Sequence, residues 1–234
     1  IWRLLLLWIS CIHTDTILNE VRQMVQKSSG EAAYEALITS IRTGVVLPGQ
    51  RLREEDVGEM LGLSRTPVRE ALRRLEAEGI VEHRPRQGAV VRKLEHAELV
   101  ELYEMRVVLE RTAAEMAARH GTEAELDTLD ALNRDIAREK ANPAQAAAIN
   151  QQFHRVLYLA CRNRFLLDAA RALNNSLLLL GPTTFTDTDR VTTVVDQHQP
   201  IIDALRRGDV EGAGAAAEIH LQTSLRHRLR TLAT

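Results

Sequence analysis

Glycine and proline cut this chain into two textures. Up to residue 93 the pieces are short, with breaks at Gly44, Pro48-Gly49, Gly62, Gly79 and Gly88. From Leu94 onward the pieces lengthen, and the main breaks fall at Gly121, Asn142-Pro143, Gly181-Pro182 and Gly208. A chain punctuated this way predicts a small unit of short elements followed by long helices.

Apolar spacing fills in the elements. Tyr34, Leu37, Ile38 and Ile41 predict a helix over 31–43, and Val57, Met60 and Leu61 a second over 54–61. Thr66-Pro67 opens a third, with Thr66 as cap and Pro67 at the first position, and Val68, Ala71, Leu72 and Leu75 facing inward. Strands are predicted over 80–83 and 89–92, joined by a turn through Arg84, Pro85, Arg86, Gln87 and Gly88. Helices over 96–120, 123–140, 143–161 and 164–180 follow, then one ending at Arg207 and one capped by Asp209. The Thr122 and Glu125 pair makes a capping box for the second of these. The fold expected is mainly α. A winged helix-turn-helix, with three helices and a two-stranded wing over 31–93, precedes an antiparallel bundle of about six helices over 94–234.

Composition agrees. Aromatics are only 3% of 234 residues, and Ala, Leu, Glu and Arg, all good helix formers, are plentiful. Two distant cysteines, Cys11 and Cys161, argue against a disulfide framework and suit a reducing cytoplasm. Ile1–Ile12 is almost wholly apolar, yet a membrane-spanning helix needs about 20 such residues. Residues 1–30 therefore read as a poorly ordered extension, with a short amphipathic helix over 15–27 and no membrane role.

The net charge of -2 hides a basic patch. Residues 60–93 carry eight basic side chains against four acidic ones, whereas 31–59 carry three against six. The third helix shows Arg65, Arg69, Arg73 and Arg74 opposite its apolar face, and the wing adds Arg84 and Arg86. Arg65 and Arg69, four apart, share one side near the helix start, the part of a recognition helix that reaches base edges. Arginine can bond guanine at two atoms, and Thr66 can meet a phosphate.

Three histidines, His154, His198 and His220, fall on three different predicted helices. Imidazoles so placed either converge on a metal inside a bundle or stand separately as half-buried, hydrogen-bonded residues. His13, His83, His96, His120 and His227 read as surface or structural.

The stretch LREEDVGEMLGLSRTPVREALRRLEAEGIVEHRPRQGAVV resembles the N-terminal domain of the GntR family of bacterial transcription factors. The phrases LYEMRVVLE, NQQFHRVLYLACRN, DQHQPIIDALRRGD and AAEIHLQTSL resemble the FCD-type ligand-binding domain of its FadR subfamily. The first resemblance implies that Arg65, Thr66 and Arg69 contact operator DNA and that Gly88 lets the wing approach the backbone. Some members place a further DNA-contacting arginine where Glu55 stands; Arg53 lies close enough to substitute. The second implies a divalent metal, most simply zinc, held by Asn150, His154, His198 and His220. The family's usual acid is replaced by Asn150, so four neutral donors would leave the ion's charge uncancelled and favour an anionic ligand. Arg106 either faces the same cavity and binds a carboxylate or pairs with Glu110 four residues on. Pro200, two residues after His198, predicts a kink.

The function expected is a homodimeric, ligand-responsive regulator, not an enzyme. It binds a pseudo-palindromic operator in double-stranded DNA as a repressor released by a small organic acid. The alternatives are a metal-dependent hydrolase, a metal sensor, or a helical domain that only dimerises. No carboxylate close to the histidines in sequence offers a general base.

Overall fold

A computed structural model describes residues 30–180, 184–185 and 188–232. The expectations for residues 1–29 and for the break at Gly181-Pro182 lie outside these. The chain divides into two compact units, one of residues 1–94 with 175–182, the other of 95–174 with 183–234.

The first unit holds α1 (Gly30–Arg42), β1 (Arg51–Leu52), α2 (Glu54–Leu61), α3 (Arg65–Ala77), β2 (Val81–Arg84) and β3 (Gly88–Val91). Its antiparallel sheet runs β1-β3-β2, with Leu52 opposite Ala89 and Arg84 opposite Gly88. The wing hairpin thus carries a third strand, which two residues are too few to announce by alternation. The turn between α2 and α3 rests on Gly62, whose φ of 69° is the left-handed conformation that favours glycine. Ser64, extended, is the N-cap of α3, so Arg65 is its first residue and Thr66 lies inside the first turn rather than capping it. Pro67 is tolerated there because first-turn amides lack intrahelical partners.

The second unit holds α4 (His96–His120), α5 (Glu123–Arg138), α6 (Pro143–Ala160), α7 (Arg164–Leu177), α8 (Thr188–Arg206) and α9 (Val210–Leu232). Glu95 with Glu98, and Thr122 with Glu125, form capping boxes for α4 and α5. Pro143 begins α6 behind the cap Asn142. Helix α8 runs unbroken through Pro200. Helix α4 packs along α9, and α5 along α6 and α8. Phe153, Leu157, Ile201, Ile202 and Leu205 fill the core between them.

Beyond α7 the expected helix tightens into a 3-10 turn, Leu178–Leu180, which belongs to the first unit. Leu179 is 3% exposed and completes a core with Leu37, Ile41, Leu75, Ile80 and Val91. Asn175 donates to Glu78, just past the end of α3, at 3.1 Å; the same carboxylate oxygen accepts from Tyr34 at 2.6 Å. Burying a leucine in a filled core and then truncating it costs about 2–5 kcal/mol. Leu179→Ala is therefore expected to lower the denaturation midpoint of the first unit, read by amide exchange in α1 and α3. Unchanged exchange there would show that Leu179 adds nothing to that core.

Candidate functional site

The arginines expected to meet DNA lie on one exposed surface of the first unit. Arg65, Thr66, Arg69 and Arg73 stand on the solvent side of α3, and Arg53 is the exposed N-cap residue of α2. Arg65 contacts Glu55. Arg69 donates from Nε and Nη2 to the two oxygens of Glu54, at 2.8 Å each. These exposed pairs are weak and easily exchanged for phosphate or base edges. Arg69 thus presents two nitrogens side by side to one carboxylate, the geometry of a bidentate pair. Arg74 is committed elsewhere, to Glu31 and Glu78 and over the ring of Tyr34. In the wing turn Arg86 has a φ of 65° and Gly88 one of 79°. A non-glycine residue in that region bears a backbone cost, here kept at the exposed tip together with a positive charge. A Cβ on Gly88 would meet nothing within 4 Å, so that side of the wing backbone is open to a partner.

The second unit gathers His154 of α6, His198 of α8 and His220 of α9, all buried. One ligand nitrogen from each lies within 4.8 Å of the others. Outer partners orient the three rings. Asn133 donates to the carbonyl of Val195 at 3.2 Å, so its oxygen must accept from His198 Nδ1, also at 3.2 Å. His220 Nδ1 sits 3.3 Å from Gln197 Oε1. His154 Nδ1 contacts Glu110 Oε1. With each Nδ1 proton directed outward, the three Nε2 lone pairs remain for the centre. The ring of Phe153 stacks on His198 with centroids 3.8 Å apart and locks its plane.

Two potential donor atoms are buried without a partner. Asn150 Oδ1 and His198 Nε2 are enclosed and have no hydrogen-bond partner. A buried polar atom left unbonded carries a desolvation penalty that a metal would remove. Asn150 precedes His154 by one helical turn, so both point to one face of α6. Three imidazole nitrogens and an amide oxygen fit a divalent ion such as zinc. The electrostatics agree. Burial, reinforced by nearby positive charge, holds His198 and His220 below the ordinary imidazole value, and hence in the neutral form that ligates.

One part of the site differs from the sequence reading. Glu110 of α4, 1% exposed, stands against His154. Its second oxygen accepts from Tyr158 at 3.2 Å. Burial pushes its pKa up, but the charge and hydrogen bond of His154, then the charges of Arg106 and His220, outweigh this and hold it at about 2. An ion at the centre would therefore not keep its full charge uncancelled: one unit is balanced by Glu110. Arg106 lies with its guanidinium 4.8 Å over the ring of Tyr103, near enough to act on Glu110. Asn133 and Gln197 also escaped the sequence reading, since amides on exposed-looking positions carry no spacing signal. Glu110 did carry one. It sits on a face of α4 whose other buried members are Leu99, Leu102, Tyr103, Ala113, Ala114 and Ala117, where an ionised group needs a partner.

Comparison with known proteins places both halves. Residues 29–91 match the model described as bacterial regulatory proteins, gntR family, and residues 101–223 match the FCD domain. A probable D-xylose utilization operon transcriptional repressor of Paenarthrobacter nicotinovorans is 31% identical over 208 residues, covering 87% of this chain and 90% of the relative. The uncharacterized HTH-type transcriptional regulator YdhC of Bacillus subtilis is 27% identical, covering 83% and 88%. Among solved structures, McbR/YncC of E. coli superposes with a TM-score of 0.76 at 22% identity, over 88% of this chain and 99% of the other, a likeness of fold. A putative GntR transcriptional regulator from Rhodococcus sp. RHA1 gives 0.69 at 25% identity, over 86% and 97%.

Proposed function

Because the chain belongs to the GntR family of bacterial transcriptional regulators, with an FCD domain following its winged helix-turn-helix, we propose that it represses transcription until a small carboxylate binds beside a metal in its helical domain. The chain is a DNA-binding regulator and not an enzyme. It acts in the cytoplasm, and among its described residues no helix is long and apolar enough to cross a membrane. Repression follows the description of its D-xylose operon relative.

The observation that carries the reading is the buried centre itself, three converging imidazoles, with the enclosed, unbonded Asn150 oxygen one turn before His154 on the same helix. When bound, the ion supplies a Lewis-acidic positive charge. The chain's own residues orient what meets it. Glu110 cancels one unit of that charge, which leaves a net positive centre suited to a carboxylate. Arg106, half-buried and close enough to act on Glu110 and Tyr158, is placed to take a second bond to that carboxylate.

Two copies are needed on DNA, since one short recognition helix reads only a few base pairs and two-fold symmetry doubles them. Met105 and Val108 on α4 and Ile219 on α9 are 49%, 54% and 57% exposed on two helices that pack together, apolar side chains that a second copy can cover. The lever is the junction Arg92–His96. Arg92 donates through its side chain to the carbonyl of Gly79, just past the end of α3, at 3.1 Å, and the chain then enters α4. A tilt of α4 passed to Arg92 shifts the recognition helix, and a pair of such helices out of register with successive major grooves lets go.

The test is to select DNA from a random library, then titrate binding with zinc, chelator and a panel of small organic acids. Release by an acid in the presence of zinc is expected. Arg106→Ala is expected to weaken that response by about 1.5–3 kcal/mol, the worth of a charged hydrogen bond, with metal content intact. Acids that bind while DNA affinity stays constant would leave the helical domain as a dimeriser only.

A further inference from the structure

The three imidazoles are not held alike. His198 and His220 direct Nδ1 to neutral amide oxygens, of Asn133 at 3.2 Å and Gln197 at 3.3 Å. His154 directs Nδ1 to a carboxylate, Glu110. That carboxylate is fully buried, comes from a fourth helix, and is steadied on its other oxygen by Tyr158. Meanwhile the donor one turn before His154 is an amide, Asn150, with its oxygen enclosed and unbonded.

We infer that Glu110 supplies, through His154, the negative charge that Asn150 does not bring to the metal. This rests on the metal reading above and assigns a positioning residue within it. A carboxylate accepting the Nδ1 proton draws it outward, enriches the ring, and makes Nε2 the stronger donor. It also fixes the plane of the ring. His154 is then the strongest of the three nitrogen ligands, and the site reaches a net charge of one by way of an outer hydrogen bond. The charge stays one residue removed from the ion, so the ion keeps more of its acidity toward an incoming anion than direct carboxylate ligation would leave. The same arrangement costs little when the ion is absent, because Glu110 and His154 remain paired.

The test uses the full chain. Zinc affinity is measured by competition with a chromophoric chelator, and cobalt(II) binding by its visible absorption. Glu110→Gln keeps size and hydrogen bonding but removes the charge; it is expected to weaken zinc about 10- to 100-fold and to shift the cobalt absorption. Adding Asn150→Asp to Glu110→Gln is expected to restore affinity, because the charge then sits on a ligand directly. A merely structural role for Glu110 would not be rescued from position 150. Wild-type zinc affinity in Glu110→Gln overturns this inference alone. So does a loss that Asn150→Asp leaves unrepaired. A wild-type protein that takes up neither zinc nor cobalt overturns it together with the metal reading.

Discussion

Alanine at His154, His198 or His220 is expected to strip the purified protein of metal and to abolish its response to organic acids. Zinc at a hundred times its dissociation constant stabilises a folded host by about 2.7 kcal/mol. The wild-type denaturation midpoint is expected to rise accordingly when zinc is added, and those of the three variants to stay where they are. His198→Ala carries an added penalty, because its ring stacks on Phe153 with centroids 3.8 Å apart and its removal leaves a hole in the core. His154 and His220 are thus the cleaner tests. DNA binding without effector is expected to persist in both, since the arginines of α3 belong to the other unit. No metal by elemental analysis of wild-type protein, and no thermal shift with zinc, would refute the site.

Arg69→Ala is expected to weaken operator binding by about 1–3 kcal/mol in each half-site and to relax selectivity at one base pair of each. The structure sharpens the reason. Glu54 holds both Nε and Nη2 of Arg69 at 2.8 Å, the fork geometry that guanine O6 and N7 would also take. Arg73 serves as the comparison, being exposed one turn further along α3; a phosphate role there would weaken specific and random DNA alike. Equal losses on specific and random DNA for Arg69→Ala would demote it to the same role.

Much of the architecture was written in local signals. Helices α2 and α4 fall on the residues their spacing predicts, because Gly62 and Gly121 end them and the stripes of Val57 and Leu61, and of Leu99 and Leu102, are regular. The start of α3 was misplaced because Thr66-Pro67 reads as a cap and first position, while the backbone had already turned at Ser64. β1 is too short to have a period. The three histidines were visible as a set only because each lies on its own helix. Their outer amide partners, Asn133 and Gln197, were not. Glu110 invites pairing with Arg106 one turn before it, and spacing along a helix favours such local pairs; its closest polar contacts come from α6 instead. The fork on Arg69 likewise comes from a residue on a different helix, Glu54 of α2.

Leu179 has a consequence for the order in which the protein is made. The winged unit is synthesised first, yet the leucine that fills its core leaves the ribosome only after α4 to α7 have been translated. During that interval the core that holds Leu37, Ile41 and Leu75 lacks one of its buried members. Folding therefore does not proceed strictly domain by domain along the nascent chain, as it would for an N-terminal unit closed on itself. A polypeptide released early, with its recognition helix but without the helical domain, also lacks a member of the core on which that helix rests. Incomplete copies are in this way handicapped as competitors for the operator, where they would otherwise sit deaf to any signal.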